Sequence, residues 1–500
     1  MKTEIFSRIY NRGYILSKET IDLSQELKDL NFVHEKVFGL NLYTKQDCKW
    51  YSTSNANRQV ILIGHAYNPF SLVWDEQAII EELVKSSTLQ RSIDELTGIF
   101  LLIIIENGCI HVYQDACGMM PCYYGKVNSN SIITNFVESI SYLLTRSEWI
   151  DKYVNAKFYK IGIRQLPGIE SPYEEMKMLT ANTYLDFENM SVTRFFPLSE
   201  LQSVEDFPAQ DKKIAGILHN SMECCANKWD KPSISMTGGC DSRLTLGAAV
   251  GLYDKFKYFS FISNPAENKD CIAAEKIAKN IGVQHKTIAI PTTNEELNDF
   301  ADWQELVEHN GGYILKHVDA EIRKIATLTA KMESDVEIKS HINEVGRAFY
   351  YKKLDKKHFS YPLSPRAMSN LAKRNMFDRG ILKKMDLAFQ LFIDVTHFYE
   401  MPKSYDQTDM FYWENRMPLW AALVKQSFDV SHETTIIYNN RLLLESFLVY
   451  PLEDRIKDIP QKRIIDMLNP ILTKQESNEN AMEGWKRKLM EKVFFNLNRL

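Results

Sequence analysis

The stretch from Lys231 to Val250, KPSISMTGGCDSRLTLGAAV, constrains this chain more than any other. Ser233 to Met236 is a short, mostly apolar run that reads as a buried strand. Thr237 to Ser242 reads as a tight turn, and Ser242 onward as a helix. Gly238 and Gly239 let the backbone approach a ligand without a Cβ in the way, and they admit positive φ. Such a turn delivers its N–H groups, with the hydroxyls of Thr237 and Ser242, to the positive end of a helix. That is an anion site, and a phosphate is its expected occupant. Asp241 would repel phosphates unless a cation lay between, so the loop is expected to hold a polyphosphate with Mg²⁺. The competing reading is a tight strand-to-helix turn without a ligand.

The flanking segments support the first reading. Asp206 to Trp229 has the apolar spacing of a helix, with Pro208 tolerable only in its first turn. Phe256 to Ile262 reads as the next strand, Asp270 to Ile281 as a helix ending at Gly282, and Val283 to Ile290 as a further strand. This alternation predicts a parallel sheet with helices on its faces, an α/β architecture. Ligands of such sheets bind outside the carboxyl ends of the strands, where the Gly-Gly loop falls. Helices are expected around Glu295 to Glu308 and His317 to Lys331, then a strand near Val336 to Lys339.

Two other phosphate loops do not fit. A Walker loop needs a Lys before its Ser/Thr, and the Rossmann glycine spacing is absent. The stretch resembles instead the pyrophosphate loop Ser-Gly-Gly-x-Asp-Ser of the ATP-pyrophosphatase superfamily, which includes asparagine synthetases and β-lactam synthetases. Thr237 replaces the first Ser, hydroxyl for hydroxyl. The resemblance implies ATP binding by Thr237, Gly238, Gly239, Asp241 and Ser242, with Asp241 on Mg²⁺. It also implies a backbone contact to adenine from Phe259 to Ile262, centred on Phe261.

Residues 1 to 200 look β-rich. Gln59 to Gly64, Ile99 to Ile105, Cys109 to Gln114 and Ser131 to Thr134 are strand-like runs, while Trp74 to Lys85 and Val137 to Thr145 have helical spacing. Leu96 to Phe100 and Asp115 to Tyr124 resemble segments of class II glutamine amidotransferase domains. There Gly118 and Pro121 would fix a corner, and Tyr123 and Tyr124 re-enter a strand. The resemblance implies an Ntn-hydrolase-like αββα sandwich over 1–200, then an asparagine synthetase-like ATP-pyrophosphatase domain over 201–500 with a helical C-terminal part. Glutaminase chemistry in that class needs an N-terminal Cys whose own α-amine is the base. This sequence begins Met1-Lys2-Thr3 and its first Cys is Cys48, so the expectation is a non-hydrolysing domain and a nitrogen donor other than glutamine.

His341 to Tyr350 stands where the family has Gly-Glu-Gly-x-Asp-Glu. Placing Glu344 on the second acid puts Asn343 where the family has a metal-binding Asp. An Asn carbonyl still ligates Mg²⁺ but brings no charge. Glu344 is then a candidate ligand or general base, with Tyr350 or Tyr351 beside it, and Arg347 a candidate partner of phosphate or carboxylate. A structural Glu344–Arg347 pair at i,i+3 is the bland alternative. Residues 355 to 500 look all-helical. Ile459 to Ile465 resembles the family's Lys-x-x-Leu-Arg stretch, which makes Lys462 the lysine that stabilises charge at the reacting acyl-phosphate; a solvated surface lysine is the alternative. Lys474 and Lys486 to Lys492 read as a solvated helical face.

Composition excludes several classes. With 45% apolar and 25% charged residues and a net charge of −5, the chain is an ordinary globular one without the basic balance of a nucleic-acid binder. The longest apolar run, Ile99 to Ile105, is too short to span a bilayer, and the start lacks the apolar core of a signal peptide. Eight cysteines without CxxC spacing read as reduced thiols of a cytoplasmic protein. The expected activity is an ATP-dependent ligase that adenylates a small-molecule or peptide carboxylate, releases pyrophosphate and passes the acyl group to an amine. An intramolecular cyclase of the β-lactam or lasso-peptide type, and a nucleotide-binding pseudoenzyme, stay open. So does a homodimer.

Overall fold

The computed structural model describes residues 2–156, 165–314, 317–354, 358–372 and 378–473. The basic C-terminal segment, Lys474 included, lies outside the described residues.

The first two hundred residues build two antiparallel six-stranded sheets. Their strands are β1 (Tyr14–Ser17), β2 (Phe32–Val37), β3 (Leu40–Lys45), β4 (Trp50–Ser54), β5 (Arg58–Tyr67), β6 (Thr97–Glu106), β7 (Cys109–Gln114), β8 (Tyr123–Val127), β9 (Asn130–Thr134), β10 (Met176–Met178), β11 (Thr183–Asp186) and β12 (Ser191–Arg194). One sheet runs β10-β8-β9-β1-β3-β2 and the other β12-β11-β7-β6-β5-β4. The apolar runs seen in the sequence are the inner strands of these sheets. β3 is buried along its whole length and β6 over its first eight residues, so both faces of these strands are covered. A helix, Glu76–Lys85, capped by the Asp75 carboxylate, lies over β4 and β5. Val137 to Leu143 is a tighter 3₁₀ segment with a break at Ile140, not the regular helix its spacing suggests.

The second half carries one five-stranded parallel sheet: β13 (Pro232–Ser235), β14 (Lys257–Ile262), β15 (His285–Ala289), β16 (Val336–Ile338) and β17 (Glu433–Thr435). Their order is β15-β14-β13-β16-β17, with every pairing parallel. The chain steps outward from β13 to β15, then returns across the sheet to β16. The reversal falls between β13 and β16, which is where such a sheet opens a crevice at its carboxyl edge. The helix Phe207–Lys228 precedes β13, with Asp206 capping it and Pro208 in its first turn, as its sequence requires.

Two expectations about this half are corrected. The stretch from 355 onward is not all-helical, because β17 lies within it and completes the sheet. Three residues are too few to show a period in the sequence. The helix expected from Asp270 begins earlier, at Pro265, whose fixed φ suits a first helical turn; it ends as expected at Gly282, with φ +76°.

Candidate functional site

β13 ends at Ser235, and the chain turns through Thr237 to Gly239 into the helix Cys240–Ala248. Met236 N–H donates to the Phe259 carbonyl (2.8 Å), and Ser260 Oγ to the Met236 carbonyl (2.6 Å), so the loop is anchored on β14. Inside the loop, Thr237 N–H donates to Ser242 Oγ (3.0 Å) and Gly239 N–H to Thr237 Oγ1 (3.3 Å). Gly239 is the N-cap and offers no side chain to the helix's first N–H groups, which leaves them to an incoming acceptor. Neither glycine takes positive φ, contrary to expectation. A Cβ on Gly239 would meet only Thr237 Oγ1, at an ordinary 3.4 Å. The packing of the loop itself would therefore admit a side chain there.

Asp241 stands at the switch point. Its Oδ1 accepts from Asn343 Nδ2 (2.6 Å), directly after β16, and its Oδ2 from Arg347. Thr245, one turn further along the helix, bonds Ser340 Oγ (2.8 Å) and the Tyr438 hydroxyl (3.0 Å). The loops after β13 and β16 are thus joined by side chains at the carboxyl edge. Burial, with the neighbouring Glu344 and Asp458 carboxylates, outweighs Arg347 and Asn343 and pushes the Asp241 carboxyl up to about 6. Asn343 is fully buried, and its Oδ1 has no hydrogen-bond partner among the described residues. A buried amide oxygen without a donor, next to a carboxylate, suits a cation. Among the described residues no cluster of three His, Cys, Asp or Glu side chains could hold a metal. Mg²⁺ does not need one, since it keeps several waters and takes one or two protein oxygens together with substrate phosphates.

The segment carrying Asn343 to Arg347 is a short 3₁₀ turn bracketed by unusual backbone. Ile342 has φ +80° and Ala348 φ +50°. Positive φ in a β-branched residue is strained and persists only where the surroundings impose it, commonly at functional sites. Glu344 has no hydrogen-bond or ion-pair partner among the described residues. The alternative reading, a Glu344–Arg347 pair at i,i+3, is not seen among the described residues: Arg347 turns instead to Asp241 and Asp458. Tyr351 bonds the Asp406 carboxylate (2.6 Å) and the Tyr361 hydroxyl, and burial with the Asp406 charge raises its pKa.

Other expected positions lie further out. Phe261 packs its ring against the small cluster of Phe259, Ile288, Ile290 and Leu328, beneath the Lys324 ammonium at 4.1 Å, and its carbonyl accepts from Cys271 Sγ. Lys462 is exposed on the helix Ile459–Leu468 and donates to the Lys457 carbonyl (3.0 Å). Sequence reasoning missed Lys352 and Asp458, whose side chains join Arg347 beside Asp241. They lie 106 residues apart, and nothing local in the sequence links them. A cavity of about 860 Å³ opens at the opposite edge of the sheet, lined by Lys257, Gly282, Lys286 and Glu333, and is no part of this site.

Fold and site together define an α/β protein with an antiparallel N-terminal part and a Gly-Gly anion loop at the switch point of a parallel sheet. No family model matches the chain, and no curated protein does. Among solved structures it is similar to glutamine phosphoribosylpyrophosphate amidotransferase from B. subtilis complexed with ADP and GMP. There the identity is 9% over 71% of this chain and 74% of that one, with a TM-score of 0.24. An allosteric regulatory enzyme of purine biosynthesis matches at 12% identity over 51% of this chain and 60% of that one, TM-score 0.24. Glutamine-dependent NAD⁺ synthetase from Acinetobacter baumannii in complex with ADP matches at 13% identity, 44% of this chain, 49% of that one and a TM-score of 0.16.

Proposed function

We propose that the protein is an ATP-dependent amide-forming ligase that releases AMP and pyrophosphate. A substrate carboxylate oxygen displaces pyrophosphate from the α-phosphorus of ATP; an amine then displaces AMP from the acyl carbon and gives up a proton. The observation that carries the reading is the Asp241–Asn343 contact at the switch point, against a helix N-terminus without a side-chain cap. Thr237, Gly238, Gly239 and Ser242 would take the β,γ-phosphates, and the β14 backbone at Phe261 would lie along the adenine. Asp241 and the orphaned Asn343 Oδ1 would hold Mg²⁺, which supplies charge neutralisation to the polyphosphate. Glu344, a carboxylate without a hydrogen-bond or ion-pair partner among the described residues, is the proposed base for the amine. Lys462, which donates to the Lys457 carbonyl, is the proposed lysine for charge at the acyl-phosphate.

The two antiparallel sheets are read as an Ntn-hydrolase-like sandwich, and the amine as a separate substrate or part of the acyl substrate itself. The test incubates the protein with ATP, Mg²⁺ and pooled carboxylic metabolites, with hydroxylamine as trapping amine. Pyrophosphate and hydroxamate should form, and Asp241→Ala should abolish both. No product, together with no ATP binding by calorimetry, would overturn the reading and leave a scaffold.

A further inference from the structure

Asp458 precedes the helix Ile459–Leu468 in the N-cap position, where an Asp side chain ordinarily accepts from the helix's first N–H groups. Here it makes no such bond, and its backbone is left-handed, with φ +58°. Its carboxylate is turned to two cations instead. Arg347 grips it side-on with one edge of the guanidinium, Nε to Oδ1 at 2.7 Å and Nη2 to Oδ2 at 2.9 Å, and Lys352 Nζ also bonds Oδ1. The remaining arm of Arg347 lies on Asp241. Two positive groups, each mostly buried, thus meet at Asp458 at the mouth of an anion loop, while Asn343 Oδ1 beside them has no hydrogen-bond partner among the described residues. Burial, then the Arg347 charge, lowers the Lys352 pKa against the pull of Asp458.

We propose that Arg347 and Lys352, held together by Asp458, form the anion clamp of this site, taking the β,γ-phosphates of a nucleoside triphosphate or free pyrophosphate. The Asp241 carboxylate occupies the arm of Arg347 that the phosphate would take. The clamp rests on reading the Thr237–Ser242 loop as a phosphate site. It accounts for an otherwise awkward fact: both oxygens of the expected cation ligand are occupied. When phosphate takes the guanidinium, Asp241 Oδ2 is released toward the cation. A planar fork with its Nε edge fixed on Asp458 suits a phosphate edge better than the ammonium of exposed Lys462.

Calorimetry would measure ATP, pyrophosphate and AMP binding, in Mg²⁺, to wild type, Arg347→Gln, Arg347→Lys, Lys352→Gln, Lys462→Gln and the surface control Lys213→Gln. Arg347→Gln and Lys352→Gln should each weaken ATP and pyrophosphate by about 10- to 100-fold, as expected for charge-assisted bonds. Arg347→Lys should recover part of the loss, the control none to recover, and melting curves would confirm that each variant is folded. Full pyrophosphate affinity in folded Arg347→Gln would overturn the clamp while leaving the loop reading intact. Loss confined to Lys462→Gln would move the cation to the helix Ile459–Leu468 and overturn it too. Wild type binding neither ATP nor pyrophosphate would defeat both clamp and loop. Pyrophosphate binding that depends on Arg347, without ATP binding, would uphold the clamp and defeat the ligase.

Discussion

At Gly346 there is no room for a side chain. A Cβ there would sit 2.5 Å from the Cβ of Phe447, which is itself fully buried. This contact seats the 3₁₀ turn that carries Asn343, Glu344 and Arg347 against the helix Arg441–Leu448. Gly346→Ala should lower stability by about 1–3 kcal/mol through overpacking, and adding Phe447→Leu should restore part of it. Urea midpoints of the three variants would check this, and an unchanged midpoint in Gly346→Ala would refute it. Residue identities in this turn were legible from the sequence, but their partners were not. Glu344 and Arg347 invite an i,i+3 pair, yet the guanidinium goes to carboxylates at positions 241 and 458, which only the folded chain brings near.

Among the elements, β17 shows how a short segment can be decisive. It forms the edge of the parallel sheet and is tied to β5 by His65 Nδ1 and Glu433 Oε1 at 3.0 Å. Burial would raise the Glu433 pKa, but the His65 hydrogen bond and charge outweigh it and hold the carboxyl at about 2. A depressed carboxylate stabilises the fold above its ordinary pKa of 4.5, and that contribution disappears as pH falls from there to about 2. Glu433→Gln should therefore be less stable than wild type at pH 7, by about 2–3 kcal/mol. The gap should narrow on acidification through pH 4 and 3, as thermal melts at each pH would show. A gap independent of pH would exclude this linkage. Longer elements were readable because each shows a period or an apolar run: β6, β7 and the helix Phe207–Lys228 lie where their spacing puts them.

For the molecule as a whole, the junction between the halves is polar and buried. Asn439 Nδ2 donates to the Gly98 carbonyl (2.6 Å) and to Asp115 Oδ1 (2.8 Å), and its Oδ1 accepts from Cys117 N–H (2.9 Å). Arg441, 1% exposed, donates to the carbonyls of Gln114 and Asp115. Arg194 and Glu414 form a two-bond pair at 2.6 and 2.7 Å with Glu414 wholly buried. Parting the halves would strand all of these groups, so we expect a single unfolding transition, coincident by tryptophan fluorescence and circular dichroism. Arg194→Met should cost about 3–5 kcal/mol by leaving Glu414 buried and unpaired. Two separable transitions would show that the halves fold independently. The Asp115–Tyr124 turn, whose Gly118 does take φ +63°, thus grips the residues next to Tyr438, whose hydroxyl meets Thr245 on the loop helix.

From the sequence alone came the strand, loop and helix around Thr237–Ser242, the alternation of a parallel sheet, and a β-rich first part. All rest on local spacing, glycines and caps, which act over a few residues. Tertiary structure alone decided the strand order and its switch point, the place of β17, and the joining of Arg347 and Lys352 to Asp458. Those depend on contacts between residues far apart in the chain, where Coulomb attraction and burial choose partners that no local pattern encodes.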